Sequence, residues 1–189
     1  MADITKLNFE EKMKLAESLN TSPDILSKLA KDDDPNIREA VAKNINTPPN
    51  TLTELSNDTE PNVIIAVADN IKTPPDILAK LYYKGDPDVT IEIAKNTSTP
   101  SDILTKLADD IDPYVRLHVA GNTSTPSNIL VKLSNDKYPD VREAVAGNPS
   151  TPLDVVLHIM INDTKEFVRI KATKTIKLRC EKYDKKPKL

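Results

Sequence analysis

A recurrence every 26 residues constrains this chain more than any other feature. NTSTPSDILTKLADD starts at Asn96 and NTSTPSNILVKLSND starts at Asn122. The same step places TSPDILSKLAKDDDPNIREAVAKN at Thr21, TPPNTLTELSNDTEPNVIIAVADN at Thr47 and TPPDILAKLYYKGDPDVTIEIAKN at Thr73, with a degenerate sixth copy from Thr151. The first five copies keep register without an insertion, and every proline except Pro187 falls in one of two junctions per copy. A unit this short cannot bury its apolar side alone. Stacked on copies of itself, it can.

Each copy reads as two short helices. In the first, Thr is expected at the N-cap, Pro in the first turn and Asp or Asn at N3, as in Thr73-Pro74-Pro75-Asp76. Ile25, Leu26 and Leu29 then mark one apolar side. The second helix opens with Asp-Pro at Asp34, Asp86 and Asp112, and Ile37, Ala40 and Val41 face inward. Asn44, Asn70, Asn96, Asn122 and Asn148 close it, a position where Asn can take the left-handed conformation that ends helices.

These features predict an all-α solenoid of about six two-helix repeats, starting near residues 21, 47, 73, 99, 125 and 151 and running to about 174. Residues 1–20 read as an N-terminal cap, with Met13, Leu15 and Leu19 apolar on a lone helix. At the far end EFVRIKATKTIKLRCEKY reads as a longer helix, with Val168, Ala172, Ile176, Cys180 and Tyr183 along one side, followed by a basic end over 175–189. Both ends are expected to be polar caps on one continuous domain.

The repeat TPSDILTKLADDIDPYVRLHVAGN resembles the leucine-rich repeat variant family and, more loosely, HEAT repeats. The TP junction, the DIL-x-KL helix, the DP turn, the V-R pair and the closing Asn carry the resemblance over roughly Thr21 to Lys174. It implies a right-handed superhelix of helix pairs, one of which can be a 3-10 helix. One member of that family holds an iron–sulfur cluster through N-terminal cysteines, but this chain has only Cys180, so no cofactor is expected. HEAT repeats often carry an Asp–Arg ladder. Arg38, Arg116, Arg142 and Arg169 match its Arg position while Ile64 and Thr90 do not, so a ladder would be broken in the second and third repeats. A true leucine-rich repeat, with a strand at VRLHVAGN, is the rival fold. Glu39 and Glu143 stand where Leu117 does, and a strand would drive those carboxylates into the core.

Little in the sequence points to catalysis. The net charge is −3, which gives no global reason to expect nucleic acid, and no run is long and apolar enough for a membrane helix. With no apolar leader and one cysteine, a cytoplasmic setting is the expectation. His118 and His158 lack a His or Cys nearby, so neither reads as a metal ligand. Asp32, Asp58, Asp86, Asp110 and Asp136 read as solvated helix caps, with an acidic rim for a basic partner as the sharper alternative. Lys28, Lys106 and Lys132 each precede an Asp by four residues, which suggests exposed pairs.

A non-catalytic scaffold for a protein or peptide is therefore the leading reading. In a repeat array, exposed departures from consensus mark candidate contacts. Ile65, Ile91 and Leu117 occupy the column of Glu39 and Glu143, and read as an exposed aliphatic stripe. Glu92 and His118 stand where other copies place Ala, and Tyr114 where others place Asn or Asp. Tyr82 and Tyr83 replace small and polar residues at the end of a first helix. The alternatives are nucleic-acid binding through the tail from Lys171, which has eight basic residues against two acidic ones, and an enzyme on a HEAT-like frame.

Overall fold

A computed structural model describes the backbone of residues 4–184 and side chains as far as residue 181. The described residues are helical, with no strand among them. They divide after Pro100 into two compact units. The absence of strands rules out the strand-bearing rival, and the helix pairs give the α-solenoid class predicted from the repeat.

The first unit begins with a 3-10 turn at Ile4–Lys6, then α1 (Phe9–Glu17), α2 (Pro23–Leu29), α3 (Pro35–Lys43), α4 (Pro49–Leu55), α5 (Pro61–Asp69), α6 (Pro75–Tyr82) and α7 (Pro87–Lys95). Its second helices pack serially, α1 on α3, α3 on α5 and α5 on α7. Leu26, Leu52 and Leu78 of the first helices and Val41, Val67 and Ile93 of the second helices are fully buried. Each such side chain contributes roughly 1.5–3 kcal/mol of burial, and none could be buried by one seven- or nine-residue helix alone.

The second unit holds α8 (Ser101–Leu107), α9 (Pro113–Gly121), α10 (Ser127–Leu133), α11 (Pro139–Gly147), α12 (Leu153–Asn162) and α13 (Glu166–Asp184). Here α11 packs between α9 and α13. Leu104, Leu130 and Val156 and, on the second helices, Val119, Val145 and Ala172 repeat the core columns of the first unit.

Proline opens these helices as expected, because its missing amide would have had no helical partner there. Asp34, Asp86 and Asp112 cap the second helices by accepting amides of the first turn. The threonines act differently from the N-cap role expected of them. The N-cap before α6 is Pro74, with no side-chain cap. Thr73 is buried and its hydroxyl donates backwards to the Val67 carbonyl at 2.5 Å. Thr21, Thr47, Thr99, Thr125 and Thr151 make the same bond to the carbonyl six residues earlier. The hydroxyl thus satisfies an orphan acceptor of the preceding helix.

The asparagines also depart from expectation. None is left-handed: Asn70 has φ −69° and ψ 119°, and the only positive φ among the described residues is Gly85 at 75°. All five are buried, and Asn44, Asn70, Asn96 and Asn148 reach across to the previous helix pair of their own unit. Asn44 donates to the carbonyls of Ala16 and Ser18, Asn70 to Ala42 and Asn44, and Asn148 to Ala120 and Asn122.

The ends are less polar than predicted. Leu19 lies beyond α1, which stops at Glu17, and is exposed. On α12, Leu153, Leu157 and Ile161 are exposed at four-residue spacing, and Phe167, Ile170 and Leu178 are exposed on α13. Of the expected apolar line on α13, Val168 and Ala172 are buried, Ile176 is half-buried and Cys180 is exposed. Tyr183 lies outside the described side chains.

Candidate functional site

The positively charged positions settle into a ladder. Arg38 sends Nε and Nη2 to the Asp58 carboxylate at 2.7 and 3.0 Å, and its Nη1 to the carbonyls of Asp32 and Asp33. Arg116 treats Asp136 the same way, and Arg142 treats Asp163. Lys12 takes the Arg role towards Asp32 at 2.7 Å. The ladder is absent where the sequence predicted: Ile64 stands in the Arg column, and Lys84 instead donates to the Ser56 carbonyl. Arg169 reaches the Asp163 carbonyl.

These pairs overturn the reading of Asp32, Asp58 and Asp136 as solvated caps, while Asp86 is the exposed cap expected. Asp32, Asp58 and Asp136 are half-buried partners of cations, Asp86 caps α7, and Asp110 accepts the Asp112 amide. The Arg38 guanidinium holds the Asp58 carboxyl below the usual carboxylate range, and Arg142 does the same to Asp163. Burial pushes Asp136 up, but hydrogen bonds from Arg116 and the Tyr138 amide outweigh it and leave that carboxyl lowered. One of the expected four-residue lysine pairs is also replaced. With Asp32 and Asp136 already engaged, Lys132 pairs with Asp109 instead.

The candidate contact residues fall in both units. In the first, Tyr83 is 66% exposed and Tyr82 half-buried at the end of α6, their rings edge-to-face with centroids 5.2 Å apart. Ile65 on α5 and Ile91 on α7 are half-buried instead of exposed, as is Leu117 on α9 in the second unit. Glu92 is paired with Lys95 at 2.8 Å. A separate cleft between α1 and α3, about 430 Å³, has Met13 and Ala40 in its lining and Leu19 and Ile45 beside them.

In the second unit Tyr114 and Leu117 come together in one groove. It lies between α9 and α11, measures about 540 Å³, and is lined by Pro113, Tyr114, Leu117, Tyr138, Val141, Asp140 and Glu143. Tyr114 is 64% exposed and its ring lies 6.5 Å from that of His118, which is half-buried. Tyr138 was not among the sequence candidates. It stands where other copies place the capping acid, so the same search for departures from consensus could have found it. Its ring takes the cations of Arg116 at 5.5 Å and Lys137 at 5.1 Å, which fixes it as one wall.

No metal-binding group of three or more His, Cys, Asp or Glu side chains occurs among the described residues. None of the described helices is long and apolar enough to cross a membrane. The basic end lies partly outside the described residues. Of its members, Arg179 is engaged with the carbonyls of Asn148, Pro149 and Thr151.

Among solved structures the chain is similar to a leucine-rich repeat variant with a novel repetitive protein structural motif. The TM-score is 0.59 at 23% identity, covering 90% of this chain and 67% of that one. It is also similar to an archaeal HEAT-like repeats protein from Thermococcus onnurineus NA1, with a TM-score of 0.42 at 13% identity, covering 91% of this chain and 97% of that one. No family model and no curated protein sequence matches the chain. The first likeness supports the repeat fold inferred from the 26-residue step.

Proposed function

We propose that residues 21–174 form six repeats of a non-catalytic scaffold that binds a protein or peptide, in a cytoplasmic setting, through the groove of the second unit. The observation that carries this reading is the groove itself. Two tyrosines, Leu117 and Val141 line an open cleft of about 540 Å³. Tyrosine supplies a large, stiff, amphipathic contact surface and is enriched at interface hot spots.

The repeat grammar supports the same conclusion. Asn, Thr, Pro and Arg–Asp positions are spent on holding helix pairs together. Tyr114 and Tyr138 are departures from that grammar at exposed positions. A repeat array tolerates such departures because each copy needs only its neighbours.

The test is selection of a random-peptide display library on the full chain. Selected peptides should lose at least tenfold in affinity for Tyr114→Ala and Leu117→Glu chains whose far-ultraviolet circular dichroism is unchanged. Binding that ignores both substitutions would place the contact elsewhere and end this reading.

A further inference from the structure

We infer that the surface made by this groove and the adjoining start of α13 takes a polyproline II segment with an arginine or lysine in its central turn and an apolar residue one turn to either side. This rests on the peptide-binding reading above and adds the ligand's conformation and charge.

The argument starts from three equivalent second helices. α9, α11 and α13 begin at Pro113, Pro139 and Glu166. Their second residues are Tyr114, Asp140 and Phe167, and their fifth residues are Leu117, Glu143 and Ile170. With α11 packed between the other two, an acidic row runs between two aromatic–aliphatic rows. Tyr114, Phe167 and Ile170 are 64%, 41% and 46% exposed, so both outer rows are open.

The two carboxylates are available. Glu39, the first-unit equivalent of Glu143, is tied to Lys43 at 2.5 Å. The residue four positions after Glu143 is Gly147, which has no side chain to offer. Lys171 lies over Gly147 but makes no ion pair with Glu143. Arg116 is neutralised by Asp136, and Lys137 sits on the Tyr138 ring. Neither Asp140 nor Glu143 has a cationic partner within the described residues, so the charge they offer is complementary to a basic side chain.

Spacing then selects the backbone. Packed helices lie about 8–10 Å apart. A β-strand alternates its side chains at about 3.3 Å per residue, so a residue three positions on would point away from the groove. Polyproline II repeats every three residues at about 3.1 Å each, so one turn advances about 9.3 Å with side chains on the same side. Aromatic walls are the surfaces on which such segments dock.

The test uses fluorescence anisotropy with the full chain and a labelled peptide, acetyl-PLPPRPPLP-amide. Its Arg-to-Glu counterpart and a version with one proline removed on each side of the arginine serve as comparisons. The Arg peptide should bind at least tenfold tighter than either, weaken with salt, and lose at least fivefold on Glu143→Gln. Equal binding of the Arg and Glu peptides, or indifference to Glu143→Gln, overturns the inference. If library-selected peptides bind through Tyr114 while none of these three binds, the inference falls and the peptide-binding reading stands. If the display selection also fails, both fall. Association of the chain with itself through Tyr114, seen by sedimentation, would overturn it as well.

Discussion

The side-chain amide of Asn70 donates to the Ala42 carbonyl at 2.6 Å, 28 residues back along the chain. A second bond runs to the Asn44 carbonyl at 3.1 Å, and the Asn70 carboxamide oxygen accepts the Lys72 amide at 2.9 Å. One buried side chain therefore satisfies two carbonyls of the previous helix pair and one amide of its own turn. Because Asn44 does the same towards Ala16 and Ser18, the rungs link successive pairs end to end within the first unit. Backbone acceptors at helix ends are otherwise orphaned in a dry interior.

Replacing Asn70 should therefore cost more than a surface substitution. Asn70→Ala strands the Ala42 carbonyl and the Lys72 amide, at roughly 1–3 kcal/mol for each group that water cannot reach, and takes one of two bonds from the Asn44 carbonyl, which keeps the Thr47 amide. We expect about 3 kcal/mol of lost stability by chemical denaturation. Asn70→Asp should be at least as harmful, because a carboxylate turns both donated bonds into oxygen–oxygen repulsion. A loss under 1 kcal/mol for both would mean that the rung carries no weight.

Thr73 gives a cleaner measurement of one hydrogen bond. Its hydroxyl has a single protein acceptor, the Val67 carbonyl, and is buried. Thr73→Val keeps the shape and removes the donor, so about 1–2 kcal/mol should be lost. Thr73→Ser should recover part of that loss, since it keeps the donor and gives up one methyl.

Acid should weaken the ladder. Asp58 and Asp163 have folded pKa values lowered by hydrogen bonds from Arg38 and Arg142. A carboxyl lowered on folding contributes fully above its unfolded value of about 3.9 and loses that contribution as pH falls through the folded value. Stability should be level from pH 7 to about 5 and then fall below about 4. Asp58→Asn should cost about 3 kcal/mol at pH 7, because it leaves Arg38 half-buried without its counter-charge. The gap between variant and parent should narrow as the parent's own Asp58 takes up a proton. A gap that stays constant to pH 3 would contradict the pairing.

Most of the fold was legible because a repeat samples each position several times. Pro at the helix starts, Asp34 as a cap and the apolar columns could be read from one copy and checked in the next. The errors came where a residue type has two physical uses. Thr and Asn both suit helix ends in isolation, yet here Thr73 and Asn70 serve helices other than their own, and spacing along the chain does not reveal a partner 28 residues back. The groove was half legible. Tyr114 and Leu117 departed from consensus and do meet in it. Tyr138 and the unpaired state of Glu143 depend on which side chains neighbouring helices bring together, and so did the half-burial of Ile65, Ile91 and Leu117.

Arg179 offers a last check on how the array ends. Within each unit the carbonyl of a closing Asn accepts from the Asn of the next pair: Asn44 from Asn70, Asn70 from Asn96 and Asn122 from Asn148. Asn148 has no such successor, and Arg179 reaches its carbonyl at 3.1 Å together with those of Thr151 at 2.9 Å and Pro149 at 3.2 Å. The long α13 thus carries a guanidinium to the place where a rung would have been. Arg179→Ala should leave the Pro149 and Thr151 carbonyls to water, leave the Asn148 carbonyl with the Thr151 amide alone, and loosen the second half of α13 from α11. Amide exchange should quicken at least tenfold over 176–184 and stay unchanged in α3 and α5. Arg179→Lys should rescue only part of the protection, because one ammonium cannot span three carbonyls in the plane that the guanidinium serves. Equal protection in all three proteins would show that packing of Val168 and Ala172 holds the helix without it.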